Sequence, residues 1–86
     1  MIGYKVKVNI RLFASCREAV GTGQMVLDAE SDATVNDIWS TLTAKFPAMT
    51  RLSGQLGVAV NAHYTSWDRK IEEGDEIVFL PPVSGG

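Results

Sequence analysis

The sequence predicts a two-layer α+β fold, one helix packed across one mixed sheet. Three features carry that expectation. Apolar and polar residues alternate from Ile2 to Leu12, an apolar stripe at helical spacing runs from Val35 to Phe46, and Glu76 to Leu80 is apolar on both faces. The first is a strand with one side on a core, the second an amphipathic helix, the third a buried central strand.

Taken in order, Ile2, Tyr4, Val6, Val8, Ile10 and Leu12 form the apolar face of the first strand, and Lys5, Lys7, Asn9 and Arg11 the polar one. Phe13 places an aromatic ring on the polar side. The stretch from Ala14 to Val20 is short for a helix; Ser15 and Glu18 stand at capping-box spacing and could start a single turn. Gly21 and Gly23 permit a turn. Met25, Leu27 and Ala29 alternate with Val26, Asp28 and Glu30, which gives a second strand in an antiparallel hairpin with the first.

Thr34 is a good helix N-cap, with Asp37 at the third helical position. Val35, Ile38, Trp39, Leu42 and Phe46 fall on one stripe, and Pro47 stops the helix. Residues 48 to 56 fit a short helix or a loop. Gly57 to Asn61 is a short strand, and 61 to 66 a turn with a few paired residues. Gly74-Asp75 lies in an acidic turn before the last strand. The first and last strands are the most apolar and belong side by side at the sheet centre. A parallel pair there needs a long crossover, which the helix supplies. That is the β-grasp, or ubiquitin-like, arrangement, predicted for residues 1–80 with residues 81–86 as a flexible tail.

Composition narrows the function. The chain has 86 residues, 45% of them apolar, so it makes one modest domain. Eight basic and ten acidic residues give a net charge of −2 with no basic run, which argues against nucleic acid. The single cysteine, Cys16, excludes an internal disulfide, an all-cysteine metal cluster and an iron–sulfur electron carrier. No segment reads as a signal peptide or membrane span, so the expectation is a cytoplasmic protein with no membrane partner. His63 has no companion residues for metal binding or catalysis. Cys16 reads as a small, half-buried residue rather than a reactive thiol. No catalytic or metal-binding residue is expected in this chain.

Chemistry is instead expected at the end of the sequence, in Pro81-Pro82-Val83-Ser84-Gly85-Gly86. Two prolines favour an extended exit from the last strand and remove two backbone donors. Two glycines make the thinnest possible peptide, able to thread a narrow channel. A terminal carboxylate is a poor acyl donor until ATP converts it to an acyl-adenylate, which a sulfur or nitrogen nucleophile can displace. Terminal glycines alone would fit a frayed end equally well.

Two longer motifs add to this. Phe13 to Gly21 resembles the F-A-x-x-R-E-x-x-G segment of MoaD-type proteins, the sulfur-carrying small subunits of molybdopterin synthase. Gly74 to Gly86 resembles that family's G-D-E-x-x-x-x-P-P-V-[ST]-G-G end, and Val60-Asn61 its central V-N. The resemblance implies that an E1-like (MoeB-type) enzyme uses ATP to adenylate Gly86, and that a sulfur donor protein then supplies the sulfur of a Gly86 thiocarboxylate. The charged carrier would enter the active site of a MoaE-type large subunit and deliver sulfur to cyclic pyranopterin monophosphate, tail residues Pro81, Pro82, Val83, Ser84, Gly85 and Gly86 first. The carrier itself would hold no permanent cofactor. A docking patch of Phe13, Arg17, Val60 and Leu80 is expected on the outer sheet face. The acidic residues Glu72, Glu73, Asp75 and Glu76 form either a steering surface or a solvated turn. The alternatives are a carrier for thiamine thiazole or cysteine synthesis, a ubiquitin-like modifier of lysines, and a non-covalent interaction module.

Overall fold

The computed structural model describes residues 4–80. Five strands, two α-helices and one 3₁₀ turn follow in the order β1 (Lys5–Leu12), α1 (Ala14–Val20), β2 (Gln24–Glu30), α2 (Val35–Lys45), a 3₁₀ helix (Pro47–Leu52), β3 (Gly57–Val60), β4 (His63–Tyr64) and β5 (Glu76–Leu80). The sheet order is β2-β1-β5-β3-β4. β1 runs antiparallel to β2 and parallel to β5, and β3 is antiparallel to both β5 and β4. This is the expected β-grasp, with β1 and β5 as the parallel inner pair. Residues Ile2 and Gly3 of the predicted first strand lie outside the described residues.

The predicted faces hold in β1 and β2 from Lys5 onward; Tyr4, expected on the apolar face of the first strand, precedes β1 and is 70% exposed. Val6, Val8, Ile10 and Leu12 are buried and meet Val35, Ile38, Trp39 and Leu42 of α2 in one core with Ile77 and Phe79 of β5. Thr34 and Asp37 form a complete capping box: the Asp37 amide donates to Thr34 Oγ1 at 3.3 Å and the Thr34 amide to Asp37 Oδ2 at 2.9 Å. Pro47 ends α2 and opens the 3₁₀ helix at once, which buries Met49 and Leu52 under the core. Phe46 is the C-cap of α2 and only half-buried.

Residues 14 to 20 form a full short helix, and Ser15 does not cap it. The cap position is Phe13, without a side-chain hydrogen bond; its carbonyl accepts the amides of Cys16 (3.0 Å) and Arg17 (3.3 Å). The chain reverses between β1 and α1 through Ala14, at φ 49°. A left-handed alanine is unfavourable by about 1–2 kcal/mol, so tertiary packing, not local preference, sets this start. Cys16, the one fully buried residue of α1, provides part of that packing.

The start of β5 is fixed by a buried carboxylate. Asp75 is 6% exposed, the one buried charged side chain among the described residues. Its Oδ2 accepts the Glu72 amide at 2.7 Å and faces Arg69 Nη1 at 3.3 Å, while Oδ1 accepts from Asn61 Nδ2 at 2.9 Å. Asn61 in turn accepts the Glu76 amide on its side-chain oxygen at 3.0 Å, and its own amide donates to the Glu76 carbonyl at 2.8 Å. Gly74 takes φ 82°, which lets its amide donate to the Lys7 carbonyl at 2.8 Å, and the Asn9 amide donates to the Asp75 carbonyl at 2.8 Å. Three segments far apart in sequence therefore lock β5 to β1 and β3 at one register.

Replacing Asp75 by asparagine keeps the shape but turns one acceptor oxygen into a donor that must face another donor. A buried group left unsatisfied costs about 1–3 kcal/mol, more where charge is involved. We expect Asp75→Asn to lose about 2–3 kcal/mol in urea unfolding at neutral pH; a loss below about 0.5 kcal/mol would show that the network does not hold β5.

Candidate functional site

The predicted tail, Pro81 to Gly86, lies outside the described residues. The described part of the site is its root, the end of β5. Leu80 pairs with Gly57, Phe79 with Val58 and Leu12, and Val78 with Ala59 and Arg11. The root is thus held on both sides by hydrogen-bonded strands, so whatever follows Leu80 leaves from a fixed point.

Alternation in β5 sends Ile77 and Phe79 inward and Glu76, Val78 and Leu80 outward. On the outer face, register puts Val78 in a row with Ala59 and Tyr64, the latter 81% exposed. Leu80 follows one row on. Phe13, still extended (φ −128°, ψ 157°) and 48% exposed, continues β1 in line with Leu80. Of the four predicted patch residues, Phe13 and Arg17 are therefore exposed, and Leu80 points outward but is half-buried. Val60 does neither: it is 2% exposed, pairs with Ile77 and faces the core. Its neighbour Ala59 takes the outward place, though at 8% exposed it is covered by the side chains around it. Arg17 is exposed on α1, and its Nε lies 3.5 Å from where a Cβ on Gly23 would stand, beside the end of β1.

The other half of the outer face is charged. Lys5 pairs with Glu30 at 2.7 Å, Lys7 with Asp28 at 2.9 Å, and Arg11 approaches Glu76 at 3.7 Å. The carboxylate partners raise both lysine pKa values, and Lys7 lowers that of Asp28. These pairs are exposed and contribute little to stability. They separate a charged half from an apolar half centred on Val78 and Leu80. Of the acidic turn, Asp75 is structural, Glu73 accepts the Lys7 amide at 2.9 Å and Glu76 faces Arg11; Glu72 is exposed.

No side chain in this region forms a nucleophile–base pair. Cys16 is fully buried, and burial raises its thiol pKa, so it holds little thiolate at neutral pH. His63 sits at the exposed β4 edge, its Nδ1 3.0 Å from the Asn61 carbonyl. Among the described residues the geometry thus offers a rigid strand root with an apolar outer patch.

A family model matches residues 10–86, described as the ThiS family. The chain belongs to the ThiS family. Within it, the molybdopterin synthase sulfur carrier subunit of Escherichia coli (strain K12) is 35% identical, over 92% of this chain and 99% of that protein. The protein of the same name from Arabidopsis thaliana is 31% identical, over 94% of this chain and 84% of that protein. Among solved structures, small archaeal modifier protein 1 from Methanosarcina acetivorans is 29% identical with a TM-score of 0.83, over 98% of this chain and 100% of that one. No helix among the described residues is long and apolar enough to cross a membrane.

The burial of Cys16 makes a direct test of where sulfur is carried. We expect iodoacetamide to label Cys16 very slowly in the native chain at pH 8, with labelling sped up several-fold or more in denaturant, as followed by mass spectrometry. Rapid native labelling would show a reactive thiol in α1.

Proposed function

We propose that this protein is the sulfur-carrying small subunit of a molybdopterin synthase, and that Gly86 is the group that carries the sulfur. The observation that supports this most is similarity to molybdopterin synthase sulfur carrier subunits over 92% and 94% of the chain, together with a ThiS family match that runs to residue 86. The fixed root at Leu80 fits a protein that presents its end to others.

The chemistry runs in three steps. The Gly86 carboxylate attacks the α-phosphorus of ATP in the active site of an E1-like partner, releasing pyrophosphate and forming an acyl-adenylate. A sulfide-level nucleophile from a sulfur donor attacks the acyl carbon, AMP leaves, and Gly86 becomes a thiocarboxylate. In the large subunit that sulfur is transferred to cyclic pyranopterin monophosphate, and water restores the carboxylate. The carrier contributes reach and docking; the acid–base groups belong to its partners. Pro81 to Gly86 enter those active sites, and Phe13, Val78, Leu80, Ala59 and Tyr64 form the face on which the partners seat, with Arg17 at the Phe13 end. An outward apolar face, exposed at Phe13 and Tyr64 and half-buried at Val78 and Leu80, with a charged border suits successive, reversible partners.

Incubation with an E1-like adenylating enzyme of this family, ATP and a sulfide source should add to the mass of the chain the difference between one sulfur and one oxygen. A chain lacking Gly86 should gain nothing. An unchanged mass with an enzyme that charges its own carrier would refute the proposal.

The docking face has its own test. Leu80→Asp should leave the urea unfolding transition cooperative and weaken complex formation with the large subunit by at least ~10-fold, the scale of an interface hot spot. Val60→Asp should instead unfold the chain, because it buries an unpaired charge. Full complex formation by the Leu80 variant would move the docking face elsewhere.

The likeness to small archaeal modifier protein 1 favours one second reading, conjugation of Gly86 to lysines. Isopeptide-linked adducts in cell extracts, lost when Gly86 is deleted, would mark that role.

A further inference from the structure

β2 closes the sheet on one side, and among the described residues no strand lies beyond it. It is seven residues long and has neither the proline nor the lysine that commonly shields a sheet edge. Both ends of its ladder with β1 are fixed: the Leu12 amide donates to the Gly23 carbonyl and the Ser31 amide to the Tyr4 carbonyl, each at 3.0 Å. An antiparallel ladder alternates between bonded and non-bonded pairs. In this register Met25, Leu27 and Ala29 bond to β1. The amides and carbonyls of Gln24, Val26, Asp28 and Glu30 therefore point away from it. Gln24 is closed off by the Thr22 hydroxyl, which accepts its amide at 3.4 Å and donates to its carbonyl at 3.2 Å. The Glu30 carbonyl accepts the Ala33 amide at 3.0 Å. One stretch stays open: both backbone groups of Val26, both of Asp28, and the Glu30 amide.

A groove of about 450 Å³ runs between this edge and α2. Short side chains, Ala29, Ala33 and Thr41, leave it room, and four carboxylates, Asp28, Glu30, Asp32 and Asp37, stand around it against one ammonium, Lys5. On the outer face Val26 is 56% exposed, with Asp28 and Glu30 after it at two-residue spacing. Their cations lie on the β1 side only, Lys7 at 2.9 Å from Asp28 and Lys5 at 2.7 Å from Glu30. An ionised carboxylate accepts from several donors, so each can take a second cation from a strand on its free side. Like charges at opposed positions are destabilising, so this edge turns away an acidic strand and admits a basic one. A second copy of the chain meets the same repulsion. Any β2–β2 pair that overlaps the open stretches sets the carboxylates of the two copies opposite or diagonal to one another.

We propose that the open edge of β2 is a recruitment site for an extended, basic segment of a partner protein, which adds to the sheet as a further strand. Backbone bonds to Val26, Asp28 and Glu30 hold the segment. Its lysine or arginine side chains meet Asp28 and Glu30 on the outer face. Its alternate side chains, small and apolar, turn into the groove over Ala29 and Ala33. A contact this short is weak and weakens further with salt. β2 lies two strands from β5, so the segment leaves Val78 and Leu80 uncovered and both surfaces can be filled at once. The site does not depend on what becomes of Gly86.

Amide hydrogen exchange of the full chain, with a short capped peptide of alternating lysine and valine as the probe, tests this. In the free chain the amides of Val26 and Asp28 should exchange fast and those of Leu27 and Ala29 slowly. Millimolar peptide should slow exchange at Val26, Asp28 and Glu30 several-fold and leave β3 and β5 unchanged. A peptide of alternating glutamate and valine should have no effect at the same concentration. Val26→Pro removes an open N–H without breaking a bond to β1, so it should still unfold cooperatively in urea and lose the response to the lysine peptide. Asp28→Lys should lose that response and gain one to the glutamate peptide. Unchanged exchange at Val26 and Asp28 with the lysine peptide overturns the proposal. So does an equal response to both peptides, or a response that Val26→Pro retains. Slowing that grows with protein concentration and needs no peptide also overturns it, because a second copy then fills the edge. Sulfur loading of Gly86, read by mass, is expected to be the same in the Val26 variant, so failure here leaves the carrier reading standing.

Discussion

The carboxylate of Asp75 is the constraint on which the working end of this protein depends. β5 is a five-residue strand inserted between β1 and β3, and its partners come from well-separated parts of the chain. A strand that short can slip, and a slip of one residue would turn Phe79 outward and Leu80 inward. Hydrophobic burial alone penalises that slip weakly, because every position from Ile77 to Leu80 is apolar. The polar lock does better. Asp75 accepts from Asn61, Arg69 and the Glu72 amide, while Asn61 clasps Glu76 through both its amide and its side-chain oxygen. These bonds are shielded and directional, so a shifted strand would leave several buried groups unpaired at once.

This lock gives a physical meaning to two motifs that look functional in the sequence. Val60-Asn61 and Gly74-Asp75-Glu76 are the two halves of one clamp, with Gly74 supplying the positive φ that brings its amide to Lys7. A family resemblance built on these residues therefore reports the construction of the root, while the tail reports the use made of it.

How much could be read in advance follows from where periodicity is informative. β1 alternates cleanly, so its faces were legible, and Thr34 with Asp37 announced α2 through a capping box that the structure completes. β3 is Gly-Val-Ala-Val, apolar throughout, so period two leaves its phase undetermined. That is why Val60 was expected outside and lies inside, with Ala59 in its place. Only pairing with β5, which no local signal contains, sets the phase. The same reason hides the start of α1, since Phe13 caps it with a backbone carbonyl and Ala14 adopts an angle that alanine does not favour. The packing of Trp67 against Trp39, with ring centroids 5.9 Å apart, was invisible for another reason: the two rings are 28 residues apart in number, and helical spacing marked Trp39 simply as core.

β5 thus carries two apolar surfaces that converge on one residue. Outward, Val78 and Leu80 join Ala59 and Tyr64; inward, Phe79 supports the two indoles. Since the strand is rigid, a partner seated on the outer face cannot signal inward by bending it. Docking on Val78 and Leu80 therefore leaves the contacts of Phe79 in the core unchanged, and the same rigid root can meet one partner after another without repacking.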